Sequence, residues 1–175
     1  MIIVLNGPLG IGKSTLAEAL TENIENCVML DGDHLVAANP AATVELEHLH
    51  STIALLVTHH RRFGYRHFVV SHFWRSSEEL AHLRRRLVAI DADVEIRFFL
   101  LTLPASENLR RIERRQQARA YDEGEFELRT FGEEQEVLAK HSGQDLGELF
   151  DVSAPPSELV ATMLRRLAVR ADIDE

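Results

Sequence analysis

Apolar residues in this chain follow two rhythms. Short runs rich in β-branched and aromatic residues occur at Ile2–Leu5, Cys27–Leu30, His67–Phe73, Glu95–Leu103 and, more weakly, Leu149–Ser153. Unbroken runs of that length read as strands buried on both faces. Between them, apolar residues recur at three- and four-residue steps, the spacing of one helical face. Leu16, Ala17, Ala19 and Leu20 form one such set, and Leu46, Leu49, Ile53 and Leu56 another, in a helix predicted from Ala42 to near Phe63-Gly64. Ser76-Ser77-Glu78-Glu79 has the pattern of a capped helix start and precedes Leu80, Leu83, Leu87 and Ile90. A helix from about Ala105 runs into an arginine-rich stretch. Gly124–Lys140 reads as an acidic helix exposed on one side, and Pro155-Pro156-Ser157-Glu158 opens a last amphipathic helix through Arg170. Alternating strands and helices predict an α/β fold, with a parallel sheet covered on both faces in a single domain spanning 1–175. A mixed α+β arrangement is the competing pattern.

Charge changes this picture little overall and much locally. The 175 residues carry 19 Lys plus Arg against 28 Asp plus Glu, a net charge of −9. Such acidity argues against nucleic acid as a partner. Residues 61–119, however, hold thirteen Arg against seven acids, so an anionic ligand finds most of its partners there. Cys27 is the only cysteine, which excludes an internal disulfide and a cysteine-based zinc site. The nine His residues include no pair at i,i+3 or i,i+4, which speaks against a helical zinc site. The start Met1-Ile2-Ile3-Val4-Leu5 lacks the basic region of a signal peptide, and no apolar stretch approaches the roughly 18 residues of a membrane span. The expectation is a soluble, cytoplasmic protein without a membrane partner.

Gly7-Pro8-Leu9-Gly10-Ile11-Gly12-Lys13-Ser14 matches G-x-x-x-x-G-K-[ST] without exception. It lies between a predicted strand and a predicted helix, as the chemistry requires. Glycines permit a backbone path whose N–H groups converge on phosphate oxygens. Lys13, one of only two lysines, reaches the β- and γ-phosphates, and the Ser14 hydroxyl suits Mg²⁺. The following helix adds its N-terminal dipole. The loop implies a nucleoside triphosphate but leaves open a kinase, a GTPase switch and a motor ATPase. The guanine signature N-K-x-D and the segment D-x-x-G are absent, and the third strand ends Val69-Val70-Ser71-His72 without the carboxylate usual in motors.

With Asp31-Gly32-Asp33 after strand two, the run Leu109–Arg119 after strand four, and Phe150-Asp151-Val152-Ser153-Ala154-Pro155 before the last helix, the sequence resembles the P-loop small-molecule kinases of the nucleoside-monophosphate-kinase-like group, closest in pattern to gluconate-kinase-like and shikimate-kinase-like proteins. The resemblance implies a three-layer P-loop NTPase fold with a parallel five-stranded sheet, an acceptor-binding helical segment at 34–64 and a helical lid at about 111–125. It implies ATP and Mg²⁺, with Gly7, Gly10, Ile11, Gly12, Lys13, Ser14 and Thr15 cradling the triphosphate. It assigns Asp33 to the acceptor hydroxyl and Asp31, with Ser14, to the metal, in roles that are exchangeable between the two aspartates. Arg111, Arg115 and Arg119 share one helical face; the resemblance makes Arg111 and Arg119 nucleotide-binding and Arg115, beside Lys13 and Asp33, catalytic. Asp151–Pro155 is assigned to the adenine edge. Arg75, Arg61 and Arg62 are further candidates near the acceptor, and His72 and Trp74 are candidates for its pocket. Ser71 stands where many members carry Asp, which shifts the metal onto Ser14 and the aspartate pair. The expected activity is phosphoryl transfer to a small molecule, a sugar acid or similar hydroxylated metabolite. A nucleoside or nucleotide acceptor, and a regulatory protein without transfer activity, are the alternatives. The sequence does not specify an oligomeric state.

Overall fold

Every residue of β1 (Ile2–Asn6) is buried, and this strand forms the centre of a sheet. The computed structural model describes residues 1–39, 42–117, 124–141 and 143–167. After β1 come α1 (Lys13–Asn23), β2 (Cys27–Asp31), α2 (Gly32–Leu35), α3 (Glu45–Arg61), β3 (His67–His72), α4 (Ser77–Val88), β4 (Ile96–Thr102), α5 (Ala105–Gln117), α6 (Gly124–Lys140), a 3-10 turn (Gly143–Leu146), β5 (Glu148–Asp151) and α7 (Pro156–Leu167). The five strands are parallel, in the order β2-β3-β1-β4-β5.

Two apolar layers cover the sheet. Ile3 and Leu5 face Leu16, Leu20, Met163 and Leu164 from α1 and α7. Ile2 and Val4 point the other way, toward Leu49, Ile53, Leu83 and Leu87 from α3 and α4. Alternation along one strand thus fills both cores, which is why the run is apolar without a break. Each such side chain contributes roughly 1.5–3 kcal/mol of burial. The expected three-layer α/β architecture, with its parallel five-stranded sheet, is what the chain adopts.

Local departures have local causes. The predicted start of α3 at Ala42 moves to Glu45. Asp31-Gly32-Asp33, at the end of strand two, opens the one-turn helix α2, because the Asp31 carboxylate accepts the Asp33 N–H at 3.0 Å and caps it. Gly32 is required there: a Cβ would lie 2.8 Å from the His72 Cβ. Ser76 caps α4 as expected, accepting from the Glu79 N–H at 3.3 Å. The predicted last helix is described through Leu167, and Arg170 lies outside the described residues.

All five strands run the same way, so the loops leaving their C-terminal ends gather at one edge, with β1 between β3 and β4. That is where open α/β sheets bind ligands. The buried Asn6 ties this edge together. Its side-chain amide donates to the Trp74 and Leu146 carbonyls, both at 3.2 Å, and its oxygen accepts the Trp74 N–H at 2.9 Å.

Candidate active site

The loop from Gly7 to Ser14 leaves β1 and enters α1. Gly10 and Gly12 take φ of +75° and +103°, the left-handed region that side chains resist. Close packing also requires Gly10, since a Cβ would sit 2.4 Å from the Ile112 Cγ1. Lys13 is 9% exposed and folds back on the loop, donating to the Gly7 and Pro8 carbonyls at 2.8 and 3.1 Å. Burial lowers its pKa from the ordinary ammonium range, while the charges of Asp33, Glu134 and Asp31 oppose that.

A cleft of about 550 Å³ opens over this loop. Gly10, Ile11, Gly12, Lys13, Ser14 and Thr15 form its floor, and Arg111 and Arg115 one wall. Val152–Pro156 and Leu159 close the far side, which places the segment assigned to adenine at the apolar end. Gly7 acts through its carbonyl on Lys13 rather than by lining the cleft. The two arginines of the predicted face do different things. Arg111 donates to the Ile11 carbonyl at 3.2 Å and the Val152 carbonyl at 2.9 Å, so it clamps the loop to the opposite wall. Arg115 pairs with the buried Glu127 of α6. Arg119 and the centre of the predicted lid, 118–123, lie outside the described residues.

At the other end of Lys13, the Ser14 hydroxyl donates to the Asp31 Oδ2 at 2.8 Å. Two hard oxygens therefore meet beside the phosphate loop. The buried Ser71 Oγ, on the residue paired with Asp31 across the sheet, has no hydrogen-bond partner. Among the described residues no group of three or more His, Cys, Asp or Glu is placed to hold a metal ion by itself. This donor set fits Mg²⁺, which takes oxygen ligands and keeps water and phosphate in its shell.

A second cavity of about 430 Å³ shares Leu9, Lys13 and Asp33 with the first. Leu46, Leu49 and Phe73 give it an apolar side; His72, Arg75, Glu45, Glu79 and Glu134 give it polar ones. Asp33 accepts from the His72 Nδ1 at 2.9 Å, and this bond, more than the Lys13 charge, holds its carboxyl below the usual range. Asp33 stands on α2 and lines both cavities. Arg75 reaches this cavity too, whereas Arg61 is bound to Asp91 at 2.8 Å. Trp74, which the sequence left equally open to the acceptor pocket and to the core, is fully buried and does not line the cavity. Its indole N–H donates to the His50 Nε2 at 2.9 Å, and the His50 Nδ1 lies 2.7 Å from the His82 Nδ1. An accepting Nε2 places the His50 proton on Nδ1, so His50 donates to His82, whose Nε2 faces Glu47 at 3.4 Å. Burial, then the His82 charge, pushes the His50 pKa down to about 4.

Sequence reading missed Glu134 and Glu127. On the acidic helix α6 these two carboxylates are the buried positions, at 8% and 3% exposure. Glu134 accepts the Leu9 N–H of the phosphate loop at 2.5 Å, and burial raises its pKa. For Glu127 the available signal was Arg115, twelve residues earlier on the preceding helix; Glu134 had no such neighbour in sequence.

A family model described as an AAA domain matches residues 2–141. Comparison with curated proteins gave no significant match. Among solved structures, the tunicamycin resistance protein of Deinococcus radiodurans is 16% identical, with a TM-score of 0.68 over 97% of this chain and 96% of that one. A gluconokinase from Sinorhizobium meliloti 1021 is 21% identical, with a TM-score of 0.68 over 97% and 92%. Shikimate kinase from Bacteroides thetaiotaomicron is 15% identical, with a TM-score of 0.64 over 97% and 99%. At these identities the likeness is one of fold. The family match spans the phosphate loop and the chain through α6, so the chain belongs to the AAA domain family and has the fold of the P-loop small-molecule kinases.

Proposed function

We propose that the protein is an ATP-dependent kinase that transfers the γ-phosphoryl group to a hydroxyl of a small molecule. The observation that carries this reading is the meeting of two cavities at Lys13 and Asp33: one built for a triphosphate, the other sized for a metabolite. A switch or regulatory protein needs the first cavity alone.

Phosphoryl transfer asks mainly for positioning and charge neutralisation. The loop N–H groups and Lys13 hold the β- and γ-phosphates. Ser14 and Asp31 would hold Mg²⁺, which when bound spreads the charge of the phosphate oxygens. Asp33 accepts a hydrogen bond from the acceptor hydroxyl and points its oxygen at the γ-phosphorus. The new O–P bond forms as the bond to the β-phosphate oxygen breaks; ADP departs and the hydroxyl proton passes to Asp33. The transition state is loose, so an ionised Asp33 with a low pKa suffices: it orients first and takes the proton late. Arg115, carried on the helix that enters the predicted lid, neutralises charge on the transferred group once it leaves Glu127. Arg119, outside the described residues, keeps the nucleotide-binding role that the resemblance assigns it. This chemistry suits one cytoplasmic domain acting on neither nucleic acid nor membrane; among the described residues no helix is long and apolar enough to cross a bilayer.

The test is ADP release from ATP and Mg²⁺ with and without small-molecule acceptors, followed by mass detection of the phosphorylated product. Stimulated release with a product one phosphoryl group heavier is expected. Tight ATP binding with no phosphorylated product from any metabolite pool favours the regulatory alternative.

A further inference from the structure

We infer that the phosphoryl acceptor is a polyhydroxylated molecule that carries an ammonium group and no anionic group. The inference rests on the kinase reading and sharpens its substrate class.

The second cavity is bordered by four carboxylates, Asp33, Glu45, Glu79 and Glu134, against the cations Lys13 and Arg75. Lys13 belongs to the triphosphate, since it is folded onto the phosphate loop. Arg75 therefore stands alone among three glutamates and the acceptor-facing aspartate. A bound triphosphate adds further negative charge at the shared wall. An acceptor bearing a carboxylate or phosphate would meet repulsion from most directions.

Two of these carboxylates are fixed. The Glu79 Oε2 accepts the Arg75 N–H at 2.7 Å, and the Glu134 Oε2 accepts the Leu9 N–H at 2.5 Å. A free surface glutamate swings away from an incoming anion; a carboxylate held by a backbone N–H does not. Each keeps a second oxygen for a ligand. Fixed acceptors at a cavity wall suit a donor-rich cation, because their ordering cost is already met by the fold. Leu46, Leu49 and Phe73 supply the apolar side against which a carbon ring packs. Glu45, in the exposed first turn of α3, closes the rim.

Two sets of related polyhydroxylated compounds, each with an amine, a neutral and an acidic member, test this with full-length protein, ATP and Mg²⁺: D-glucosamine, D-glucose and D-gluconate; and 2-deoxystreptamine, myo-inositol and shikimate. Phosphorylated product is read by mass, and kcat/KM by ADP release. The expected result is an amine as the best substrate, at least tenfold above its neutral and acidic counterparts. Glu45→Gln is expected to raise the KM for that amine about fivefold. Glu45→Arg is expected to raise it further, and 0.5 M salt to shrink the difference between variants. D-gluconate, shikimate or a neutral polyol as the best substrate overturns the charge assignment and leaves the kinase reading intact. No product from any of the six, with ATP bound, overturns both. An amine substrate whose KM is untouched in both Glu45 variants and by salt overturns the role given to the acidic wall.

Discussion

The two cavities share Lys13 and Asp33 yet are built on opposite plans. The cleft proposed for the triphosphate is lined by one unbroken stretch, residues 9–16, with its glycines at the turn into α1. The cavity proposed for the acceptor draws its residues from scattered elements, α2, α3, α4, α6 and the end of β3. Phosphate is the same in every nucleotide, so a backbone cradle with obligatory glycines serves it whatever the acceptor. Acceptors differ, and side chains are the part of a fold that changes without disturbing the sheet.

Substitutions at the shared wall separate the two plans most sharply. Lys13→Ala removes the charge that both cavities border. Its kcat/KM is expected to fall on the order of 10³-fold, with ATP binding weakened in calorimetry. ATP affinity equal to that of the parent protein would detach the loop from the triphosphate. Asp33→Asn belongs to the acceptor side: kcat should drop about 10²-fold while ATP affinity stays within about twofold. Parallel loss of ATP binding would move Asp33 to the metal and support exchange of its role with Asp31.

Behind the acceptor cavity the effect is on stability and depends on pH. His50 is neutral in the fold, with its pKa pushed down to about 4 from 6.5. The unfolded chain binds the extra proton first as pH falls, so stability is lost through that window. A decline of about 2 kcal/mol between pH 7 and pH 5 is expected in urea denaturation, absent in His50→Gln. His82, His72, Glu47 and Arg86 face His50, and a curve unchanged in the variant would detach the loss from His50. The smallest effect is on the nucleotide side. Glu134→Gln keeps an acceptor for the Leu9 N–H but deletes a negative charge near Lys13. ATP should bind about fivefold tighter. Weaker binding would mean that Glu134 shapes the loop rather than opposing the triphosphate.

The same contrast explains what the sequence made legible. The sheet, the order of helices and the phosphate loop all follow from contiguous signals: apolar runs, three- and four-residue steps, and an eight-residue motif. The nearness of Ser14 to Asp31 and of Asp33 to the phosphate loop also followed, since strand ends of a parallel sheet converge. Glu134 did not. On an acidic helix, a solvated face is the ordinary expectation, and the partner that marks Glu134 as inward, the Leu9 N–H, lies more than a hundred residues away. Nor did the split between Arg111 and Arg115, which are equivalent by periodicity but meet carbonyls in one case and a carboxylate in the other. The helix start at Asp31 was hidden because an Asp-Gly pair signals a turn equally well.

Trp74 is the chain's single tryptophan, fully buried, donating to His50 and edge-on to His72 with ring centres 5.2 Å apart. His72 in turn holds Asp33. The protein therefore contains its own optical reporter, seated one side chain away from the residue assigned to the acceptor. Displacement of His72 as an acceptor reaches Asp33 changes the surroundings of the only indole, and its emission reads acceptor occupancy without a label. Nucleotide alone, bound in the other cavity, should leave that signal nearly silent.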